Sequence, residues 1–551
     1  MIRGRSIVVC TSIVGAVFLA ALFVRIDRPL MWNDEADTAM YAQRITEVGY
    51  PKVHHGKHAL YTVDETGIGI NREFDAYVNA GWLQYYVAVP GVLLARHVSD
   101  PYLRTAILRF PFALIGSFGV LLFGIAIGQA LPHRRQRLWF SLAYAVAVTL
   151  SVTLLLHLRE VRYYSISIFL CAAWFWSFVR YFILGQGKTH THVSLQFATY
   201  VLLFLTFYPL TFIAAATTVA YASSQWWRHR SNVEIARRAR SLLLGVCCFA
   251  LCSIPLLWFF RTLPIAKYFN ESSGFSIGHY FMNLGTLLSD FERHELFGLA
   301  ILLQVLLLLL YRQARWLSGQ ADFTPARQVW ALLAVFTGIY VVAIAQSPLF
   351  HQRYYLALYP VLASTIALTL VMLCSLVPIL LPRSGLRTGT VFLGGILGTA
   401  FLANFLVIFP LLWGLAYERT HTYWGPLDYL IPYIQTHYAK PAELTVATNY
   451  EEHTLMYYLD SRILIGQYLP WITEETLGLP DLIVQRKTHG LIDPGAFDVY
   501  RRRAMYTPRY FPIEDTSVNT IPETQHPLYH HLFRTPLTDD PTKQLVLEIR
   551  L

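Results

Sequence analysis

Long apolar runs, parted by short polar connectors, fill the first three-quarters of this chain. The first run covers Ile7 to Val24, and others lie near 80–97, 102–131, 137–156, 160–184, 194–208, 210–227, 240–260, 295–312, 328–346, 350–381 and 389–416. Each is near the length that a helix needs to cross ~30 Å of hydrocarbon. The pattern predicts a mainly α, polytopic bundle of about 11–13 transmembrane helices over residues 1–416. Ile7 to Val24 reads as a retained span and not a cleaved signal, because it runs into Arg25-Ile26-Asp27-Arg28 instead of a small-residue cleavage site. A long polar loop, 25–79, separates it from the next run.

The basic connectors are His133 to Arg137, Lys188 with its histidines, Arg228 to Arg240, Arg312 to Arg327, and Arg383 to Arg387. Placing them in the cytoplasm follows the positive-inside rule and puts 25–79, 157–163, 208–210, 261–294, 347–354 and the C-terminal part on the external side. Parity then requires either a break in 102–131, near Arg104, Arg109 and Pro111, or a re-entrant 80–97. From about residue 417 the pattern changes. Leu427 to Tyr438 and Glu452 to Leu459 have helical periodicity, whereas Leu444 to Thr448, Arg462 to Ile465 and Asp481 to Gln485 are strand-like. That alternation predicts an external α/β domain over 417–551.

Composition agrees with a membrane protein. The chain has 551 residues, 55% hydrophobic and only 14% charged, against nearly a quarter charged in soluble domains. Mean hydropathy is +0.41. The net charge of +10 is explained by the cytoplasmic connectors without any nucleic acid. The six cysteines all lie in apolar runs and have no zinc-like spacing. His54-His55-Gly56-Lys57-His58 is metal-like in composition, but adjacent histidines seldom share an ion without a scaffold, so a solvated loop is the simpler reading.

Candidate chemistry gathers on the external side. Asp34, Glu35 and Asp37 stand just beyond the first span, a costly place to collect negative charge without a use. On the same side are Gln84-Tyr85-Tyr86, His157-Leu158-Arg159-Glu160-Val161-Arg162-Tyr163-Tyr164, and His351-Gln352-Arg353-Tyr354-Tyr355. Carboxylates facing guanidinium groups suit an anionic headgroup beside a general base, since arginine binds phosphate bidentately and stays charged. Each cluster also has a plainer reading. Arg159, Glu160 and Arg162 form a structural ion-pair cluster, Arg353 with its tyrosines is an interfacial anchor, and Asp37 is solvated surface.

The order of motifs resembles the GT-C membrane glycosyltransferases, which include the protein O-mannosyltransferases and the bacterial aminoarabinose and RgtA/B/C/D-like transferases. The residues that carry the likeness are Trp32-x-Asp34-Glu35-Ala36, Tyr41-Ala42-Gln43-Arg44, Gly49-Tyr50-Pro51, Leu83-Gln84-Tyr85-Tyr86, Arg109 to Gly116, Arg159-Glu160-Val161-Arg162-Tyr163-Tyr164, and Arg353-Tyr354-Tyr355-Leu356-Ala357-Leu358-Tyr359-Pro360. Ala357 stands where proline is common in the family, and the tyrosine after the Asp-Glu pair is more distant than in the aminoarabinose transferases.

The resemblance implies a polyprenyl-phosphate-linked sugar donor, a lipid, glycan or protein hydroxyl as acceptor, and inverting displacement on the extracytoplasmic face of a bacterial inner membrane. On that model Asp34 is the base and Glu35 supports it. Arg353, Arg159, Arg162 and Tyr354 hold the donor phosphate. Glu160, Tyr163, Tyr85, Gln84 and His351 line the substrate site. A divalent ion shared by Asp34, Glu35 and Asp37 is left open, with no certain cofactor. Two rival classes are a transporter or flippase of a lipid-linked glycan, and a non-catalytic scaffold. Against the first, no internal repeat is visible and the polar clusters lie on one side.

Overall fold

The computed structural model describes residues 4–58, 69–273, 276–317, 324–347, 352–380, 383–465, 478–486, 497–516 and 532–551. Helices dominate up to Thr420. Eight of the described helices are long and apolar enough to cross a membrane, or nine if the bent pair Ile277–His294 and Phe297–Leu310, which turns by 98°, counts as one span. Their outer faces expose Leu121, Leu251, Trp258, Phe392 and Leu406. Lipid solvates such residues and water does not.

Among the described residues the span count is below the expected 11–13, for physical reasons. Leu83–Ala95 has 13 residues, too few to cross. Arg134–Thr149 and Val152–His157 are separate short helices. The runs 194–208 and 210–227 are not two spans around an external 208–210 loop. They form one helix, Thr189–Arg228, kinked at Phe207 (φ −148°, ψ 89°) two residues before Pro209. The ring of Pro209 cannot follow a regular turn, which explains the distortion just upstream. Nor does 102–131 break. Pro101–Gly128 is a single helix of 28 residues, started by Pro101 and by the Asp100 side chain, which accepts from the Tyr102 N–H (3.0 Å). The parity question thus falls to the short 83–95 helix.

Pro101–Gly128 packs closely along Tyr163–Phe178. A Cβ on Gly119 would sit 2.8 Å from the Phe169 backbone, so only glycine allows that approach. This contact fixes Arg109 on one helix relative to Arg162 at the head of the other.

The C-terminal part is a small α/β domain, as expected. Its five-stranded sheet runs Arg462–Ile465, Thr445–Thr448, Leu482–Gln485, Gln544–Arg550, Tyr506–Glu514. The first three strands are parallel, with Val446 level with Ile463 and Leu482, and the last two are antiparallel. Its described helices include Pro426–His437, Glu452–Leu459 and the short Asp498–Arg501. Glu452–Leu459 lies against Asn33–Val48, the helix that carries the acidic stretch.

Candidate active site

The site begins at the head of the Asn33–Val48 helix. Trp32 is extended (φ −79°, ψ 176°), Asp34 and Glu35 fill the first turn, and Gly49 ends the helix in the left-handed region (φ 89°) ahead of Pro51. Carboxylates in a first turn complement the helix dipole. At 100° per residue, Asp34 and Asp37 share a face and Glu35 looks elsewhere.

Glu35 is wholly buried and forms a two-pronged pair with Arg109, whose Nε and Nη2 lie 2.8 Å and 2.5 Å from its oxygens. Glu35 Oε1 also accepts from the Val161 N–H (3.0 Å). Arg109 Nη1 donates to the carbonyls of Ile26 (3.2 Å) and Pro29 (2.7 Å). Glu35 therefore ties three chain segments together and does not open onto a cavity with Asp34.

Asp34 is the accessible member, with 24% of its side chain exposed. Its Oδ2 lies 3.2 Å from Arg353 Nη1 and 3.4 Å from Arg162 Nη2. Arg162 Nη1 reaches Asp37 Oδ2 (2.8 Å) and the Asp34 carbonyl (3.1 Å). Asp37 is buried, which corrects its reading as solvated surface. Burial, only partly offset by Arg162, pushes its carboxyl up to about 7. Two carboxylates and two guanidinium groups thus meet at one point, nearly balanced in charge.

The turn that carries Arg162 is held by side chains the motifs had singled out. Its Val161 N–H goes to Glu35, and the Tyr163 N–H donates to Gln84 Oε1 (3.1 Å). Gln84 is buried and its Nε2 donates to the Gly81 carbonyl (3.1 Å). Tyr85 is buried with its hydroxyl 3.5 Å from Asp37 Oδ2. Arg159, Glu160 and Arg162 do not pair with one another among the described contacts. Arg159 Nη2 donates to the carbonyls of Arg25 (2.6 Å) and Arg28 (2.5 Å), while Glu160 Oε1 is 3.0 Å from His157 Nδ1. Arg159 therefore does not join Arg353 and Arg162 at Asp34.

Arg353 lies in the short turn Gln352–Tyr355, with its guanidinium 5.4 Å from the Trp32 ring and 5.8 Å from the Tyr354 ring. The turn is anchored by Tyr340, whose hydroxyl donates to the Tyr354 carbonyl (2.8 Å), and by Tyr355, whose hydroxyl donates to Asp290 Oδ2 (2.7 Å). The Phe207 ring, at the kink, is stacked between Tyr163 (4.9 Å) and Tyr354 (5.9 Å). The distorted helix thus supplies the spacer that joins the Arg162 turn to the Arg353 turn. His351 lies outside the described residues.

Three contributors escaped the sequence reading as site residues. Arg109 had a signal, a charge inside an apolar run. Asn33 and His453 had none, because they meet only through the packing of two domains. The His453 N–H donates to Asn33 Oδ1 (3.2 Å), and its Nε2 lies 3.8 Å from Asp37 Oδ1. The histidines of 54–58 each meet a carboxylate of their own. His54 is on Asp75 (2.7 Å), His55 on Glu47 (2.8 Å) and His58 on Asp460 (3.2 Å). Asp34, Glu35 and Asp37 do not converge, since Arg109 and Val161 occupy both Glu35 oxygens. Among the described residues no group of three or more His, Cys, Asp or Glu side chains is arranged to hold a metal ion.

No protein-family model matches the sequence, and neither does any curated protein. The fold has solved counterparts. ArnT from Cupriavidus metallidurans in the apo state is similar over 99% of this chain and 98% of its own, with a TM-score of 0.53 and 14% identity. The same protein bound to undecaprenyl phosphate aligns over the same shares with a TM-score of 0.50 and 13% identity. This end-to-end likeness gives the chain the membrane fold seen in ArnT.

Proposed function

We propose that this protein is a multi-pass membrane glycosyltransferase that moves a sugar from a polyprenyl-phosphate-linked donor to an acceptor hydroxyl, on the extracytoplasmic face of a bacterial inner membrane. The observation that carries this is the partly open Asp34 carboxylate held between the guanidinium groups of Arg353 and Arg162. That arrangement supplies a base and an anion clamp at one point. Arg162 Nε, buried and without a hydrogen-bond partner, is a further donor for an incoming oxyanion. The ArnT structure bound to undecaprenyl phosphate supports a lipid of that class as the carrier.

In the reaction the acceptor oxygen attacks the anomeric carbon from the face opposite the phosphate. Its proton passes to Asp34, the bond between carbon and phosphate oxygen breaks, and the electron pair leaves with the phosphate. Configuration at the anomeric carbon inverts, and Asp34 later releases its proton to water. Arg353 and Arg162 neutralise the charge that grows on the leaving phosphate, which is where preorganised donors lower a barrier most. They also set the timing. Without donor they rest on Asp34 and weaken it as a base. A bound phosphate draws them away and leaves Asp34 more basic when the acceptor is in place. Glu35, Gln84 and Arg159 act on this reading by holding the turns that bear Asp34 and Arg162.

The test is the glycoconjugate lost from cells without the gene, followed by its recovery on supplying wild-type protein. Recovery with Asp34→Asn equal to wild type would overturn the assignment of the base.

A further inference from the structure

The proton state of His453 can be deduced from its partners. The backbone N–H of His453 donates to Asn33 Oδ1 (3.2 Å), and His453 Nδ1 lies 3.1 Å from the same atom. A backbone N–H only donates, so the atom it faces is the amide oxygen, and Nδ1 must carry hydrogen to approach it. Burial keeps the ring neutral, pushing its pKa down to about 3. A neutral ring protonated at Nδ1 presents a lone pair at Nε2. Nε2 lies 3.8 Å from Asp37 Oδ1, a buried oxygen with no hydrogen-bond partner, and 3.9 Å from Glu452 Oε1. The other oxygen, Oδ2, is occupied by Arg162 and Tyr85. Two buried acceptors therefore lie near each other with no hydrogen bond between them.

We infer that Asp37 Oδ1 and His453 Nε2 hold one proton between them, and that this proton decides whether Arg162 is committed to Asp37 or released to Asp34 and an anionic headgroup. The second half rests on the phosphate-clamp reading above, and the first does not. The C-terminal domain then belongs to the site through a positioning residue, His453.

The surroundings agree. Asp34 and Glu452 are negative neighbours of the pair, while Arg162 and Arg44 oppose a proton; Tyr85, Tyr41 and Tyr77 close the rest of the pocket as neutral phenols. The placement of His453 is built into its own domain. Glu451, in the left-handed region (φ 63°), precedes it and contacts the buried Arg486, which also pairs with Asp515 (2.5 Å). Asn449 grips the same residue, donating to its carbonyl (2.9 Å) and accepting its N–H (2.7 Å).

The experiment is infrared titration of the full-length protein in lipid nanodiscs, with undecaprenyl phosphate binding measured on the same samples. A protonated-carboxyl band is expected near neutral pH that Asp37→Asn removes. His453→Phe, which takes away the acceptor, should lower its midpoint by about one pH unit, the scale of one hydrogen bond. His453→Gln, whose amide oxygen can accept, should restore much of that shift. Undecaprenyl phosphate should bind more tightly as pH falls through the wild-type midpoint. Asp37→Asn reports the lipid's own ionisation alone, so the difference between the two profiles belongs to Asp37. Absence of an Asp37-dependent band at pH 6, or an unchanged midpoint in a folded His453→Phe protein, overturns the shared proton. A normal band with no lipid binding at any pH leaves the pair standing and overturns the phosphate-clamp reading instead.

Discussion

Glu35 and Arg109 face each other through two contacts, 2.8 Å and 2.5 Å long, and neither side chain reaches solvent. Removing one partner leaves the other charged and buried, which typically costs about 3–5 kcal/mol. Glu35→Ala should therefore lower the unfolding temperature of the solubilised protein sharply. Glu35→Leu combined with Arg109→Met should recover much of the loss, because the pair is then replaced and not broken. A thermal unfolding series on the three variants checks this. If Glu35→Ala unfolds like wild type yet loses transfer, Glu35 acts in the chemistry and not in the scaffold.

Asp34 should behave in the opposite way. It is partly exposed and water can take over part of its role beside Arg353 and Arg162, so Asp34→Asn should lower the unfolding temperature much less than Glu35→Ala does. Loss of a general base should reduce sugar transfer about 10²–10⁴-fold. The rate is read on the glycoconjugate that the deletion strain lacks. An Asp34→Asn rate within a few-fold of wild type would place the base elsewhere.

Arg353 and Arg159 separate clamp from scaffold. A hydrogen bond to a charged group contributes about 1.5–3 kcal/mol, so Arg353→Ala should weaken undecaprenyl phosphate binding by roughly 10- to 100-fold. Arg353→Lys should fall between, since lysine keeps the charge but loses the guanidinium fork. Arg159→Ala should instead destabilise the 25–28 turn, whose carbonyls it holds, and change lipid affinity little. Titration of the lipid against each purified variant distinguishes the two patterns.

How far the sequence reached can be seen in particular residues. Hydropathy and basic connectors give the bundle, because burial in lipid demands long apolar helices whatever their packing. The strands at 445–448, 462–465 and 482–485 are legible from β-branched runs between polar breaks. Tyr506–Glu514 is hidden by Pro508 and Pro512, which an edge position tolerates. Phe207 looks like the rim of an external loop in sequence, yet the structure makes it the spacer between the turns that carry Arg162 and Arg353. Motif order points to Asp34, Arg162 and Arg353, which the structure brings into contact. It does not give the roles of Glu35, Gln84 and Arg159 as braces, because a motif marks a position without stating which atoms it faces. His453 is about 420 residues from Asn33 and only the docking of two domains brings them together.

The raised carboxyl of Asp37 makes stability depend on pH in a direction that can be stated. Its ordinary value is 3.8 and its folded value about 7. Below pH 3.8 it is protonated in both the folded and unfolded chain, and its contribution to stability is whole. Between about 4 and 7 the unfolded chain ionises while the folded one holds its proton, so folding weakens as pH rises. At about 1.4 kcal/mol per unit the loss approaches 4 kcal/mol by pH 7, and it levels off above. Asp37→Asn cannot ionise, so its stability relative to wild type should rise steadily from pH 4 to pH 7 and then stay flat. Other carboxylates titrate alike in both proteins and cancel in the comparison. Unfolding temperatures of the two proteins at half-unit steps of pH measure it. A difference that does not change with pH would mean that Asp37 is ionised in the folded protein across the whole range, paired fully by Arg162.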